Sequence, residues 1–193
     1  MSDASTPGPA PRPVPRGHVI LFLAIALGGA AFDLATKTYF FRLVGEPIER
    51  RTVTVIPNVI ELQTSYNTGA LWGFMRSVPY SSKIFAVLSI LAVGGIAYWL
   101  FVGRAATDRR LTVALALITA GALGNCYDRL ALGHVRDFVH LHIDPINFEC
   151  AIFNFADNML VVGATALVFL ALRPEPPPAE AEVASASTVA HTS

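Results

Sequence analysis

The stretch IFAVLSILAVGGIAYWLFV, residues 84–102, decides the class of fold. It runs for 19 residues without a charged side chain. An α-helix rises about 1.5 Å per residue, so this stretch matches the roughly 30 Å hydrocarbon core of a bilayer. We therefore predict a transmembrane helix here and, from it, a membrane protein.

Three further apolar stretches lie at residues 18–32, 111–124 and 159–172. Each is too short to cross a bilayer unless its polar flanks are included. The whole chain is 53% hydrophobic and only 15% charged, with a mean hydropathy of +0.52, which is typical of membrane proteins with several spans. We predict a mainly α fold with four transmembrane helices, at about residues 18–34, 84–102, 109–125 and 157–173.

The two ends of the chain differ from this middle region. Residues 1–17 and 174–193 are rich in Pro and Ala, and we predict that they are disordered tails on either side of a membrane domain at residues 18–172. The first apolar stretch resembles a cleavable signal peptide, because two arginines precede it. It leads directly into DLATK, residues 33–37, without a clear small-residue cleavage site, so we expect it to be retained.

Positive charge in short loops predicts the orientation. The loop between the second and third spans, GRAATDRRL at residues 103–111, carries three arginines. Lys and Arg are enriched in short cytoplasmic loops, so we place this loop and both termini in the cytoplasm. The long loop at residues 33–83 also carries six basic residues, which weakens the asymmetry.

The long outer loop is not expected to be all helical. Residues 51–66, RTVTVIPNVIELQTSY, are rich in Val, Ile and Thr and predict one or two strands broken at Pro57–Asn58. Residues 69–80, GALWGFMRSVPY, carry aromatic side chains suited to the membrane–water interface, and we predict an interfacial segment there. Packing of the same aromatic residues against the second span is the alternative.

Polar residues collect at one set of span ends, which the predicted orientation places near the outer face. A carboxylate within a span costs about 2.5–3.5 kcal/mol unless it is paired or hydrated, so such residues indicate function. DLATK puts Asp33 and Lys37 four residues apart, and GNCYDR groups Asn125, Asp128 and Arg129 on one helical face. The alternative is local: an ion pair that ends the first span, and an arginine that extends to lipid headgroups.

Two aspartates are candidates for chemistry. Asp137 in VRDF and Asp157 in FNFAD are twenty residues apart, around the connection between the third and fourth spans. Two carboxyls held close together share one proton, so the charged one can activate water while the protonated one polarises a carbonyl. The alternative is structural, with Asp157 capping the start of the fourth span.

Other chemistries find little support in the sequence. The formal net charge is zero and no basic tract suggests nucleic acid binding. His134, His140 and His142 match no common metal-binding spacing, and the last two would share a face only on a strand, so no metal or cofactor is predicted. Cys126 and Cys150 allow at most one disulfide, and two free thiols are the simpler expectation.

Five motifs in chain order, DLATK, NTGALWGF, GNCYDRL, VRDFV and FNFAD, resemble the pattern of bacterial lipoprotein signal peptidases (signal peptidase II) over residues 18–172. The resemblance implies an aspartyl endopeptidase of the inner membrane that removes the signal peptide from diacylglyceryl-modified prolipoproteins, cutting before the lipidated cysteine. It implies four membrane helices, a small periplasmic β cradle and an interfacial helix. The implied partners are lipid-modified prolipoproteins and membrane lipid, for a monomer that needs no cofactor.

Position by position, the resemblance makes Asp137 and Asp157 the catalytic pair. It assigns substrate binding and support of the site to a set of polar residues and one glycine: Asn67, Gly69, Asn125, Asp128, Arg129, Asn154, Asp33 and Lys37. Arg136 stands where the family commonly has an apolar residue, and on a strand it would point away from Asp137.

Two other classes stay open on the residues alone. A small ion- or proton-coupled transporter would also carry carboxylates within its spans, and a membrane scaffold could use the outer loop as a binding surface. Transporters commonly contain repeated halves and midplane carboxylates, whereas here the polar residues collect at span ends and no repeat is evident. The peptidase prediction therefore ranks first.

Overall fold

A computed structural model describes residues 13–69 and 78–173. The four helices of this part of the chain are α1 (Arg16–Val44), α2 (Ser81–Ala97), α3 (Arg109–Ala131) and α4 (Phe155–Ala171). A π-helical turn, Tyr98–Val102, continues α2. Both predicted tails, apart from residues 13–17, and most of the predicted interfacial segment lie outside the described residues.

Four strands form one antiparallel sheet in the order β1-β2-β3-β4: β1 (Thr52–Ile56), β2 (Ile60–Asn67), β3 (Val135–Ile143) and β4 (Phe148–Glu149). Short 3-10 turns lie at Pro47–Glu49 and Asp144–Ile146. The predicted strands at residues 51–66 are confirmed as the β1–β2 hairpin, whose turn contains Asn58 at a φ of 60°. The fold is mainly helical with a small sheet, as the composition and the Val/Ile/Thr-rich loop predicted.

Three of the described helical segments are long and apolar enough to cross a membrane, namely Arg16–Glu49, Ser81–Val102 and Arg109–Ala131. The fourth helix, α4, is apolar but has 17 residues. α3 is the central helix, because 67% of its apolar window is buried against 11% in the α2 segment. α1 extends well beyond the predicted span to Val44, because its polar residues Asp33 and Lys37 are buried against other elements.

Small residues allow α4 to approach α3 closely. A Cβ on Gly121 would lie 2.3 Å from the carbonyl oxygen of Ala156, so only glycine permits this backbone contact. The contact fixes the first turn of α4 against α3, one turn before Asn125 along α3. Asn125 and Asp157 are thereby brought face to face.

An apolar cluster attaches the sheet to the helices. Val44, Leu62 and Phe138 are its buried members, and the ring of Phe40 stacks on Phe138 with 4.7 Å between centroids. The carbonyl oxygen of Phe153, just before α4, accepts hydrogen bonds from the backbone of β3. These contacts hold β3, which carries Asp137, beside the start of α4.

Candidate active site

Asp157 lies in the first turn of α4 and belongs to a capping box. The Asn154 side chain accepts a hydrogen bond from the Asp157 backbone N–H at 3.0 Å, and Asp157 Oδ2 accepts one from the Asn154 N–H at 3.2 Å. Asp157 Oδ1 accepts a further hydrogen bond from Asn125 Nδ2 at 2.8 Å. The capping alternative and the acid–base hypothesis are therefore compatible, because the cap occupies only one carboxylate oxygen.

Asp137 lies on β3 and is only 2% exposed. Its Oδ1 accepts a hydrogen bond from Asn154 Nδ2 at 2.5 Å, and its Oδ2 accepts one from Asn67 Nδ2 at 3.2 Å. The antiparallel register of β2 and β3 places Asn67 two residues from the cross-strand partner of Asp137. Asn154 thus contacts both aspartates, one through its side-chain amide and the other through the capping box.

The electrostatic environment of Asp137 favours its protonated form. Burial, and after it the nearby charge of Asp157, raise the pKa of Asp137 to about 7. Hydrogen bonds from Asn154 and Asn67 oppose the shift without reversing it. Below about pH 7, Asp137 is therefore mostly protonated, as expected for one member of a coupled acidic pair.

A network of buried ion pairs lies beside these two aspartates. Lys37 Nζ forms ion pairs with Asp33 at 2.7 Å and Asp128 at 3.3 Å, and donates a hydrogen bond to Asn125 Oδ1 at 2.8 Å. The other oxygen of Asp33 accepts a hydrogen bond from the Ala156 N–H at 2.8 Å. The Asp33–Lys37 pair is therefore more than a local helix-end pair, because it links α1 to both α3 and α4.

Arg136 completes this network of ion pairs. Its guanidinium pairs with Asp128 at 2.8 Å and its Nη1 donates to Thr38 Oγ1 at 3.2 Å. The side chain points away from Asp137, as the alternation of a strand predicted. Sequence reasoning found the direction but not the partner, because Asp128 faces β3 only after the chain turns back at residues 132–134.

Arg129 points to the loop after β2. Its Nη2 donates to the carbonyl oxygen of Gly69 at 3.0 Å, and its guanidinium lies 5.3 Å from the centroid of the Phe85 ring. The Gly69 N–H in turn donates to Asn67 Oδ1 at 3.0 Å. The alternative in which Arg129 extends to headgroups is wrong here, because these contacts hold the side chain beside Asn67.

An open groove of about 370 Å3 between α2, α3 and α4 leads to Asp157. Apolar residues form most of its walls, including Phe85, Leu88, Ile118, Leu160 and Val161. Asn125, Arg129 and Asp157 line it as well, so an extended apolar segment in the groove would meet polar groups near Asp157.

All ten predicted site residues therefore form two adjoining hydrogen-bonded clusters. The groove-wall residues were missed, since no short motif connects them to the aspartates. Cys126 and Cys150 are free thiols, as expected.

A buried carboxyl beside a half-buried one, next to an apolar groove in a helical membrane protein, is a feature of a membrane-embedded hydrolase. Comparison with known families is more specific. A family model described as Signal peptidase (SPase) II matches residues 25–173. The chain belongs to the signal peptidase II family.

Individual relatives agree with this assignment. A lipoprotein signal peptidase of Pseudomonas fluorescens strain Pf0-1 is 37% identical over 159 residues, covering 81% of this chain and 90% of the relative. One from Methylorubrum extorquens strain PA1 is 40% identical over 163 residues, covering 84% and 91%. The peptidase prediction is therefore favoured over the transporter and scaffold alternatives.

Solved structures share the fold. A bacterial membrane enzyme determined by the in meso method at 1.9 Å resolution superposes with a TM-score of 0.66 at 27% identity, covering 86% of this chain and 99% of that one. A second, at 2.3 Å resolution, gives a TM-score of 0.68 at 26% identity, covering 82% and 94%.

Proposed function

We propose that this chain is an aspartic endopeptidase of the bacterial inner membrane that removes the signal peptide from diacylglyceryl-modified prolipoproteins. Asp137 and Asp157 are its catalytic pair, and the cut falls before the lipidated cysteine. The observation that carries this proposal is that Asn154 contacts both aspartates, where burial and the charge of Asp157 raise the pKa of Asp137 to about 7. Two coupled carboxyls with one proton are the requirement of aspartic peptidase chemistry.

The reaction needs both protonation states of the pair. The ionised carboxylate takes a proton from water as the water oxygen attacks the scissile carbonyl carbon, while the protonated carboxyl donates its proton to the carbonyl oxygen. The tetrahedral adduct then breaks its C–N bond: the carboxyl that received the water proton delivers it to the leaving amine, and the other carboxylate takes back a proton from a hydroxyl of the adduct, which becomes the new carboxyl group. The hydrogen bonds from Asn67, Asn125 and Asn154 orient the two carboxyls for these transfers.

The groove between α2, α3 and α4 suits the signal peptide. Its apolar walls match an apolar segment, and Asn125, Arg129 and Asp157 line the same space. We assign substrate contact to Asn67, Gly69 and Arg129, which connect the β2 loop to this groove. Asp33, Lys37 and Asp128 support Asn125 from behind.

We further propose a monomer with four spans, in which α4 and its flanks form the fourth span and residues 18–172 the membrane domain. All ten site residues come from one chain, which supports a monomer as the active unit. Arg109, Arg110 and Arg173 lie around one groove at the end of α3 and α4 remote from the aspartates, which supports a cytoplasmic location for that end. The sheet then forms a periplasmic cradle, and both tails are cytoplasmic.

The test is cleavage of a purified diacylglyceryl-modified prolipoprotein in detergent, beside the same substrate without lipid. The variants are Asp137→Asn, Asp157→Asn and, as a matched control, Asp108→Asn, whose side chain caps the far end of α3. We expect wild type and Asp108→Asn to cut only the lipidated substrate and the other two variants to be inactive while folded. Cleavage by either site variant at the wild-type rate would overturn the assignment of the pair.

A further inference from the structure

We propose that one face of the sheet forms a divalent transition-metal site, with Glu61, His140 and His142 as ligands and Zn2+ as the best-fitting ion. The site includes none of the residues proposed for peptide hydrolysis. It stands or falls independently of the peptidase assignment.

Strand geometry brings the ligands together. His140 and His142 are two residues apart on β3, so both side chains lie on the same face of the sheet. Glu61 on β2 is the cross-strand partner of His140, and Glu149 on β4 is the cross-strand partner of His142. Three neighbouring strands therefore direct two imidazoles and two carboxylates to one place.

The distances suit a single ion. One ligand atom from each of Glu61, His140 and His142 lies within 4.8 Å of the other two. Bonds of about 2.0–2.2 Å from zinc to nitrogen and oxygen put two ligands of a tetrahedral ion roughly 3.4 Å apart. Side-chain rotation on fixed strands is sufficient to close that difference.

His140 already lies beside a carboxylate, as is expected of a ligating histidine. Its Nε2 lies 3.2 Å from Glu149 Oε1, while its Nδ1 is buried and forms no hydrogen bond with the described residues. A metal-ligating imidazole almost always donates its other N–H to a carboxylate or carbonyl, which fixes the tautomer. Glu149 would thus hold the proton on Nε2 and leave the Nδ1 lone pair directed at the ion.

The chemistry of the ligands selects the class of metal. Two imidazoles and one carboxylate favour Zn2+, and also Cu2+ and Ni2+, over Mg2+ and Ca2+, which prefer oxygen ligands. A cavity of about 330 Å3 at the cluster, lined also by Asn147 and Phe148, leaves room for a water molecule as the fourth ligand. The sequence motif HLH could not reveal this site, because Glu61 lies 79 residues earlier in the chain.

The experiment measures Zn2+ binding to the full-length protein in detergent, purified without a polyhistidine tag and stripped with a chelator. Zn2+ is titrated in competition with a fluorescent chelator, and Co2+ is added separately to record the visible absorption of a tetrahedral site. We expect one Zn2+ per chain. His140→Ala, His142→Ala and Glu61→Gln should each weaken binding more than tenfold, and Glu149→Gln by about 10–100-fold.

His134→Ala is the matched control, because His134 precedes β3 and is not part of the cluster. It should bind Zn2+ as wild type does, and the elution profile and circular dichroism of each variant report its folding. Glu61→Gln keeps the shape of the side chain, so it tests the site even if a histidine variant fails to fold. The proposal is overturned if wild type does not compete for Zn2+, or if Glu61→Gln and His142→Ala bind as tightly as wild type.

Discussion

Two acidic clusters lie side by side in this protein, and their charges are compensated in different ways. In the first, Asp33 and Asp128 contact the cations Lys37 and Arg136 at ion-pair distance. The three residues Lys37, Asp33 and Asp128 have fully buried side chains, and every charge has an opposite partner. This cluster connects α1, α3 and β3 and has no uncompensated charge for chemistry.

The second cluster, Asp137 and Asp157, is held by amides instead. Its hydrogen bonds come from Asn67, Asn125 and Asn154, and within the described residues neither aspartate forms an ion pair. Neutral donors orient a carboxylate without removing the cost of its charge, so a proton is shared instead. The difference separates a structural ion network from a pair poised for acid–base chemistry.

The largest expected effect is on activity, from Asp137→Asn or Asp157→Asn. Acid–base groups contribute about 10²–10⁴-fold each, so we expect loss of at least about 10³-fold in kcat/KM for prolipoprotein cleavage.

The same substitution at Asp137 should raise the stability of the folded protein at alkaline pH. The raised pKa of Asp137 means that the folded state binds more protons between about pH 4 and pH 7, so wild-type stability falls as pH rises through that window.

Asp137→Asn removes this cost, and its thermal unfolding temperature at pH 8 should equal or exceed that of wild type. Thermal unfolding in detergent at pH 4 and pH 8 provides the check. An Asp137→Asn protein that unfolds well below wild type at pH 8 would mean that the second cluster is structural, like the first.

The next effect is on stability, from Lys37→Met. Removing one partner from a buried ion network leaves uncompensated carboxylates, which costs about 3–5 kcal/mol. We expect a large drop in the unfolding temperature of Lys37→Met. The control Lys83→Met, at an exposed position in α2, should unfold close to the wild-type temperature. Equal stability of Lys37→Met and wild type would break the distinction between the two clusters.

Local patterns in the sequence predicted much of this arrangement. The β1–β2 hairpin follows from Val, Ile and Thr on either side of Pro57–Asn58, and the apolar stretches give the cores of all four helices. Helical spacing also grouped Asn125 with Arg129. The hairpin, the helices and this grouping could be predicted because each depends only on neighbours along the chain. Five short motifs in order then indicated the family.

Long-range contacts account for what the sequence did not predict. α1 continues to Val44 because Lys37 forms an ion pair with Asp128 on α3, more than 90 residues later in the chain. Asn125 and Arg129 share a helix, yet one contacts Asp157 and the other Gly69. The contact partner of each side chain depends on how the helices pack and how the strands pair. The spacing of residues within one element does not specify either.

A smaller loss of stability is expected where the first cluster lies against the helix α3, at Gly124. A Cβ on Gly124 would lie 2.4 Å from Asp33 Oδ2, so Gly124→Ala must displace a carboxylate that binds Lys37. We expect a loss of about 1–3 kcal/mol in unfolding free energy with the catalytic pair unchanged. Gly28→Ala is the control, because a Cβ there meets nothing within 4 Å. A stability equal to that of the control would show that the ion network tolerates displacement.

The smallest predicted effect concerns the second cluster and is a shift in the pH dependence of kcat/KM. Activity requires one proton on the pair, so kcat/KM should fall as pH rises above about 7, where Asp137 ionises. The hydrogen bond from Asn67 lowers the pKa of Asp137 by favouring its charged form, so Asn67→Ala should raise that pKa. A hydrogen bond worth about 1 kcal/mol corresponds to a shift of roughly 0.7 pH units.

In Asn67→Ala, the descending limb of kcat/KM should therefore move to higher pH by about that amount. The control Gln63→Ala, on the same strand, should leave the limb in place. A limb that moves to lower pH, or stays fixed in Asn67→Ala, would mean that Asp137 does not set the alkaline limit and that the proton belongs elsewhere in the cluster.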